Sequence, residues 1–199
     1  GVQGQSPTRV GLQMLALSAP MLVLPMLAAR WSRQVGAARL CVVGLLVCAA
    51  GLYLLSRQVL HAPPAQWWPA LLLIGAGTAL PWGLMDGLSV SVVPVQRAGM
   101  AAGIFGTVRV AGEGIALAAV TALLAMLVAQ RLGVDGRLPA ATLARAGAYL
   151  ATGSLTQATA LLPGLPPQVL QQASSEALVA LLRGLAVLTA ASALLVHAL

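Results

Sequence analysis

Three charged residues stand where charge is costly. Asp86, Arg109 and Glu113 interrupt a stretch from Pro69 to Ala129 that is otherwise almost wholly apolar. A charge inside a membrane-length apolar segment costs about 2.5–3.5 kcal/mol on insertion scales, so by default it marks a functional site. Two carboxylates and one guanidinium can do one of two things there. They can lock two helices together as an ion pair. Alternatively, low dielectric and like-charge repulsion favour protonating one of the two acids, and a carboxyl that takes up and releases a proton at mid-membrane suits a proton-coupled carrier.

The elements that must position these charges are two apolar helices joined by the turn Val93-Pro94-Val95-Gln96-Arg97-Ala98. Asp86 falls on the first helix, Arg109 and Glu113 on the second. At about 100° per residue, Gly99, Gly103, Gly106, Arg109 and Glu113 share an arc of about 120°. Gly75, Ala79, Trp82 and Asp86 align in the same way on the first helix. Small-residue faces let membrane helices approach closely. The expectation is that these faces meet and that all three charges point into the bundle. Asp86 lies about 10 Å in from the turn and Arg109 about 15 Å, a difference that an arginine side chain covers. Arg109 stands four residues before Glu113, within side-chain reach. Trp82 has two readings, as pocket lining for an aromatic or cationic ligand or as plain packing.

Composition sets the class. The chain has 199 residues, of which 59% are hydrophobic and 8% charged, against about 25% charged in a soluble domain. That places it in a membrane. All eleven basic residues are arginine, yet there is no basic run and no interleaving of arginine with aromatics, so nucleic acid is not expected as a partner. Cys41 and Cys48 lie seven apart in one apolar segment, too far along a helix to bridge, and read as core residues. His61 and His197 lack acidic or cysteine partners at ligand spacing, so neither a metal nor a cofactor is expected. Gly75-Ala76-Gly77 lacks the third glycine of a phosphate loop and lies in an apolar run. No catalytic constellation is visible, so the chain does not read as an enzyme. No signal peptide is visible, and a start on Gly1 suggests a piece of something longer.

Taken in order, the apolar runs give five spans, about 9–29, 38–56, 69–93, 99–129 and 176–197, in a single all-α membrane domain. The first contains Pro20 and Pro25, tolerable where neighbouring helices re-satisfy the freed carbonyls. Trp67-Trp68 sits at the mouth of the third, where interfacial aromatics belong. The fourth would overshoot a bilayer core of about 30 Å, so it either tilts or stands partly in water. Residues 130–175 form the long polar connection, with a short amphipathic helix expected over 138–150 and Arg145 on its wet side. Arg30, Arg33, Gly36 and Arg39 form the loop after the first span, and Arg97 the loop after the third, whereas the second loop carries Arg57. The positive-inside rule then puts the arginine-rich loops in the cytoplasm, the N-terminus and the 130–175 loop outside, and the C-terminus in the cytoplasm.

At the level of motifs the chain resembles a known family. Gln3-Gly4-x-Ser6-Pro7-x-x-x-Gly11-Leu12 is similar to the segment entering a late span of the fourteen-span drug:proton antiporter branch of the major facilitator superfamily. Val93-Pro94, followed by Arg97-Ala98-Gly99-Met100-Ala101-Ala102-Gly103 and Thr107-x-Arg109-x-x-Gly112, resembles that branch's next-to-last-span motif. The resemblance covers the chain from end to end as the last five spans of such a transporter. It implies an all-helical bundle in a bacterial inner membrane, proton antiport, and multidrug efflux of amphipathic small molecules. It also implies an N-terminal half as partner, and Gly99, Gly103, Gly106 and Gly112 as packing glycines. Ser32 stands where the family's cytoplasmic loop carries an acid, and Glu113 where it has a small residue, so no family role is carried onto either. The rival reading is a membrane scaffold or assembly protein whose small-residue faces bind partner helices.

Overall fold

Proline and glycine decide where the long helices begin, bend and approach one another. The computed structural model describes residues 7–91, 93–133 and 139–198, with Pro7, Arg9, Arg33, Asp86, Leu88, Ser89 and Val90 described by their backbone alone. The described residues are helical with short turns and contain no strand. Helix α1 runs Pro7–Val35, α2 Ala37–His61, α3 Trp68–Ser91 and α4 Ala98–Leu132. Helices α5 (Ala140–Ala151) and α6 (Leu155–Leu161) are short, and α7 runs Pro167–Ala198. Single 3₁₀ turns precede α3, at Pro64–Gln66, and α4, at Val95–Arg97. Five of the helices are long and apolar enough to cross a membrane, which makes the chain a multi-pass, all-α membrane bundle. Gln3, Gly4 and Ser6 of the first motif lie outside the described residues.

Helix α3 lies between α1 and α2. Against α1, its glycines meet prolines: a Cβ on Gly83 would stand 2.7 Å from Pro25 Cα, and one on Gly75 would run into Leu17 O and lie 3.3 Å from Pro20 Cγ. The rings that interrupt α1 are thus seated where α3 has no side chain. The pairing of residues 17–20 with 75, and 25 with 83, makes these helices parallel. Against α2, a Cβ built on Gly44 would stand 2.8 Å from Gly77 O and Pro81 Cδ, and one on Gly51 would stand 2.8 Å from Ile74, an antiparallel register. Close approach through small residues is how membrane helices gain van der Waals contact where no hydrophobic force drives them together. Gly36, at φ +89°, is the whole connection between α1 and α2. Beside it, Ala28, Leu40, Leu80 and Leu84 form a buried cluster. At the other end of α2, Val59 packs on Val179 and Leu182 of α7, with Trp67 alongside.

The polar connection is more structured than its sequence suggests. Helix α5 appears close to the expected place, with Arg145 exposed. Helix α6 was not foreseen, and α7 begins at Pro167 rather than near Glu176. Val128 of α4, Ala146 and Leu150 of α5, Ala158 and Leu162 around α6, and Leu170 and Ala177 of α7 make one buried cluster. The 35-residue α4 measures about 52 Å, against a hydrocarbon core of about 30 Å. The cap packs against its C-terminal end, around Val128.

Candidate functional site

Arg109 is held by aromatic rings from two helices. Its guanidinium carbon lies 5.2 Å from the ring centroid of Trp82 on α3 and 5.7 Å from that of Phe105 on α4. A guanidinium over an indole face is a cation–π contact worth about 0.5–2 kcal/mol, the upper end where water is excluded. Phe105, Arg109 and Glu113 are spaced four apart, so α4 presents them as one ladder. Arg109 Nε is 3.7 Å from Glu113 Oε1, an ion-pair distance too long for a hydrogen bond. Trp82 therefore meets a cation of this chain, and the cross-helix signal was legible only as a shared small-residue face.

Of the expected site residues, the structure brings together Trp82, Arg109 and Glu113. Asp86 follows Trp82 by one turn of α3; its side chain lies outside the described residues, as does that of Arg33. The arginine side chain is 35% exposed and that of Glu113 50%, so the pair is only partly covered. The reason is the course of α4, whose first half has few neighbours. A Cβ built on Gly99, Gly103, Gly106 or Gly112 would meet nothing within 4 Å. Ala102, Gly103, Gly106, Thr107, Val110 and Ala111 line an open hollow of about 610 Å³, turned about a quarter of the helix circumference from the charge ladder. Among the described residues, then, nothing packs against the faces of these expected packing glycines.

A second ion pair escaped the sequence reading. Arg131 Nη1 at the end of α4 bonds Glu176 Oε2 on α7 at 3.2 Å, and Gln172 Nε2 donates to Glu176 Oε1 at 3.1 Å. Arg131 and Glu176 are 45 residues apart, and no local pattern connects them. The loop residues Arg30, Gly36 and Arg39 lie together at the end where α1 passes into α2, with Arg30 and Arg39 exposed.

Comparison with known proteins gives the chain relatives. It is 32% identical over 124 residues to multidrug resistance protein Stp of Mycobacterium tuberculosis, a match covering 62% of this chain and 23% of that protein. It is 32% identical over 126 residues to the uncharacterized transporter YebQ of Escherichia coli, covering 62% of this chain and 27% of that one. The chain thus spans about a quarter of the length of these relatives. No family model matches it, and no solved structure does. Of these two relatives, one is named for multidrug resistance and the other as a transporter, so the chain is similar to proteins named for transport, in keeping with the resemblance of its motifs around Gly99 and Arg109 to those of the major facilitator superfamily.

Proposed function

We propose that the chain supplies the last five spans of a proton-coupled multidrug exporter in a bacterial inner membrane. The match to a protein named for multidrug resistance carries this reading. The open first half of α4 supports it, because a rocking transporter builds its pathway between two helical halves. On this reading the glycine face and the Arg109–Glu113 ladder border the substrate path, and the N-terminal half closes it. Asp86, one turn beyond Trp82, pairs with Arg109. Glu113 is then the acid left to carry the proton.

The arginine-rich end faces the cytoplasm and the α5–α6 cap faces outward. In a chain whose Cys41 and Cys48 are replaced, Ala144→Cys should react with an impermeant maleimide from outside and Gln34→Cys should not; the reverse labelling overturns the orientation. The coupling role is tested in the full-length transporter. Glu113→Gln, which mimics the protonated acid, should fold and should flatten the pH dependence of dye efflux. An unchanged pH profile removes Glu113 from coupling. Expressed alone in a pump-deficient host, the 199-residue chain should confer no efflux, and protonophore-sensitive efflux by it alone would falsify the partial-transporter reading. The glycine face would equally suit a scaffold that binds partner helices; full-length protein that binds such helices but moves no substrate favours that alternative.

A further inference from the structure

One end of the bundle gathers arginines, and those whose side chains are described have no acidic partner among the described residues. Helices α1 and α3 run parallel and α2 antiparallel, so the end of α1, the start of α2 and the turn into α4 share one side. Arg30 and Arg33 close α1, Arg39 opens α2, and Arg97 ends the 3₁₀ turn before α4. No Asp or Glu occurs from residue 30 to 39 or from 91 to 97. The acid closest in sequence is Asp86, more than a turn inside α3. The side chains of Arg30, Arg39 and Arg97 are exposed, and none forms an ion pair with a described residue. At the opposite end one arginine, Arg131, is committed to Glu176 at 3.2 Å.

Large apolar side chains stand among these arginines. Trp31 is 45% exposed beside Arg30, Val35 is 47% exposed at the end of α1, and Val95 is 87% exposed in the turn that carries Arg97. Guanidinium groups beside outward-facing Trp and Val match the chemistry of one layer, the boundary where lipid phosphates meet acyl chains. A dissolved phosphate ion would use the arginines and have no use for Trp31, Val35 or Val95. Bidentate pairing with phosphate oxygens is what guanidinium groups do best.

We propose that the α1–α2 junction and the α3–α4 turn form a binding rim for anionic phospholipid headgroups. The rim anchors this end of the bundle to phosphatidylglycerol-type lipids, with Arg30, Arg39 and Arg97 on the phosphates and Trp31 and Val95 at the acyl boundary. The inference rests on the multi-pass architecture and not on transport, so it stands or falls separately from the exporter reading.

The test is lipid competition on the purified full chain. Native mass spectrometry would count lipids retained from an equimolar mixture of phosphatidylglycerol and phosphatidylcholine. The wild-type chain should retain the anionic lipid preferentially, and neutralising each arginine should weaken that preference about five-fold. The triple variant R30Q/R39Q/R97Q should approach parity, R30K/R39K/R97K should keep most of the preference, and R57Q/R145Q should leave it unchanged. If the triple glutamine variant does not fold, salt gives the answer on wild type: shrinking the Debye length from about 10 Å to about 3 Å should erase the preference. Equal retention of both lipids by wild type overturns the proposal, as does a preference indifferent to salt and to the triple substitution. Thermal stabilisation by inorganic phosphate in phosphatidylcholine, equal to that by phosphatidylglycerol, overturns the lipid assignment as well.

Discussion

Helices α3 and α4 are both rich in glycine, and the molecule uses their glycines in opposite ways. On α3, Gly75, Gly77 and Gly83 lie against the backbone of α1 and α2, so closely that a Cβ at any of them would overlap a neighbour. On α4, Gly99, Gly103, Gly106 and Gly112 look onto open space. Spacing cannot tell these cases apart, because a helical period identifies a face and says nothing of what lies across from it. A glycine face is therefore a capacity for close approach, used within the chain in one place and left for another surface in the other.

Substitution breaks the comparison most sharply at its crowded side. Gly77→Val would drive a side chain into Cys48 N and Gly44 O. Overpacking of this kind costs about 1–3 kcal/mol or more, and the expected readout is a collapse in monodisperse yield and thermal midpoint. A variant as stable as wild type would mean that α2 and α3 are not in intimate contact. Next in size is Trp82→Ala, which removes a contact joining α3 to the unsupported half of α4. The expected loss is about 1 kcal/mol, and Trp82→Phe should restore part of it by keeping a π face; equal losses in the two variants would show that the ring–guanidinium contact contributes nothing.

Gly103→Ala should run the other way. Replacing an unobstructed helical glycine stabilises by about 0.4–1 kcal/mol, chiefly by restricting the unfolded chain, so the midpoint of this chain should rise. A fall would reveal a neighbour on that face. The smallest effect is expected at the cap. The side chains of Arg131 and Glu176 are 49% and 34% exposed, and a double-mutant cycle between Arg131→Gln and Glu176→Gln should return a coupling of about 0.2–1 kcal/mol. A larger coupling would make the ion pair, rather than the apolar cluster around Val128 and Leu170, the main tie between α4 and α7.

The same contrast explains what the sequence made legible. Long apolar runs identified the membrane helices, and Val93-Pro94 marked the turn between α3 and α4. The start of α7 was misplaced because Gln171, Gln172, Ser174, Ser175 and Glu176 are polar. Polarity there interrupts the apolar run without interrupting the helix, which continues back to Pro167. Helix α6 has seven residues, too few for a periodic signal, and its formation depends on burying Ala158 and Leu162 against helices far away in sequence. Of the contacts of Arg109, the one with Glu113 was legible from its four-residue spacing, whereas the one with Trp82 was legible only as a facing surface, because that ring reaches it from another helix.

The single-residue joint at Gly36 has a mechanical meaning. A linker of several residues lets two helices slide or swivel independently, whereas one residue at φ +89° leaves no slack to absorb displacement. Because α1 and α2 also grip α3 from either side, axial motion of any one of the three is transmitted to the other two. These helices behave as a stiff plank. Bending is then left to the Pro94 turn, where the thinly supported first half of α4 can change its angle without disturbing the close glycine contacts that α3 makes with α1 and α2.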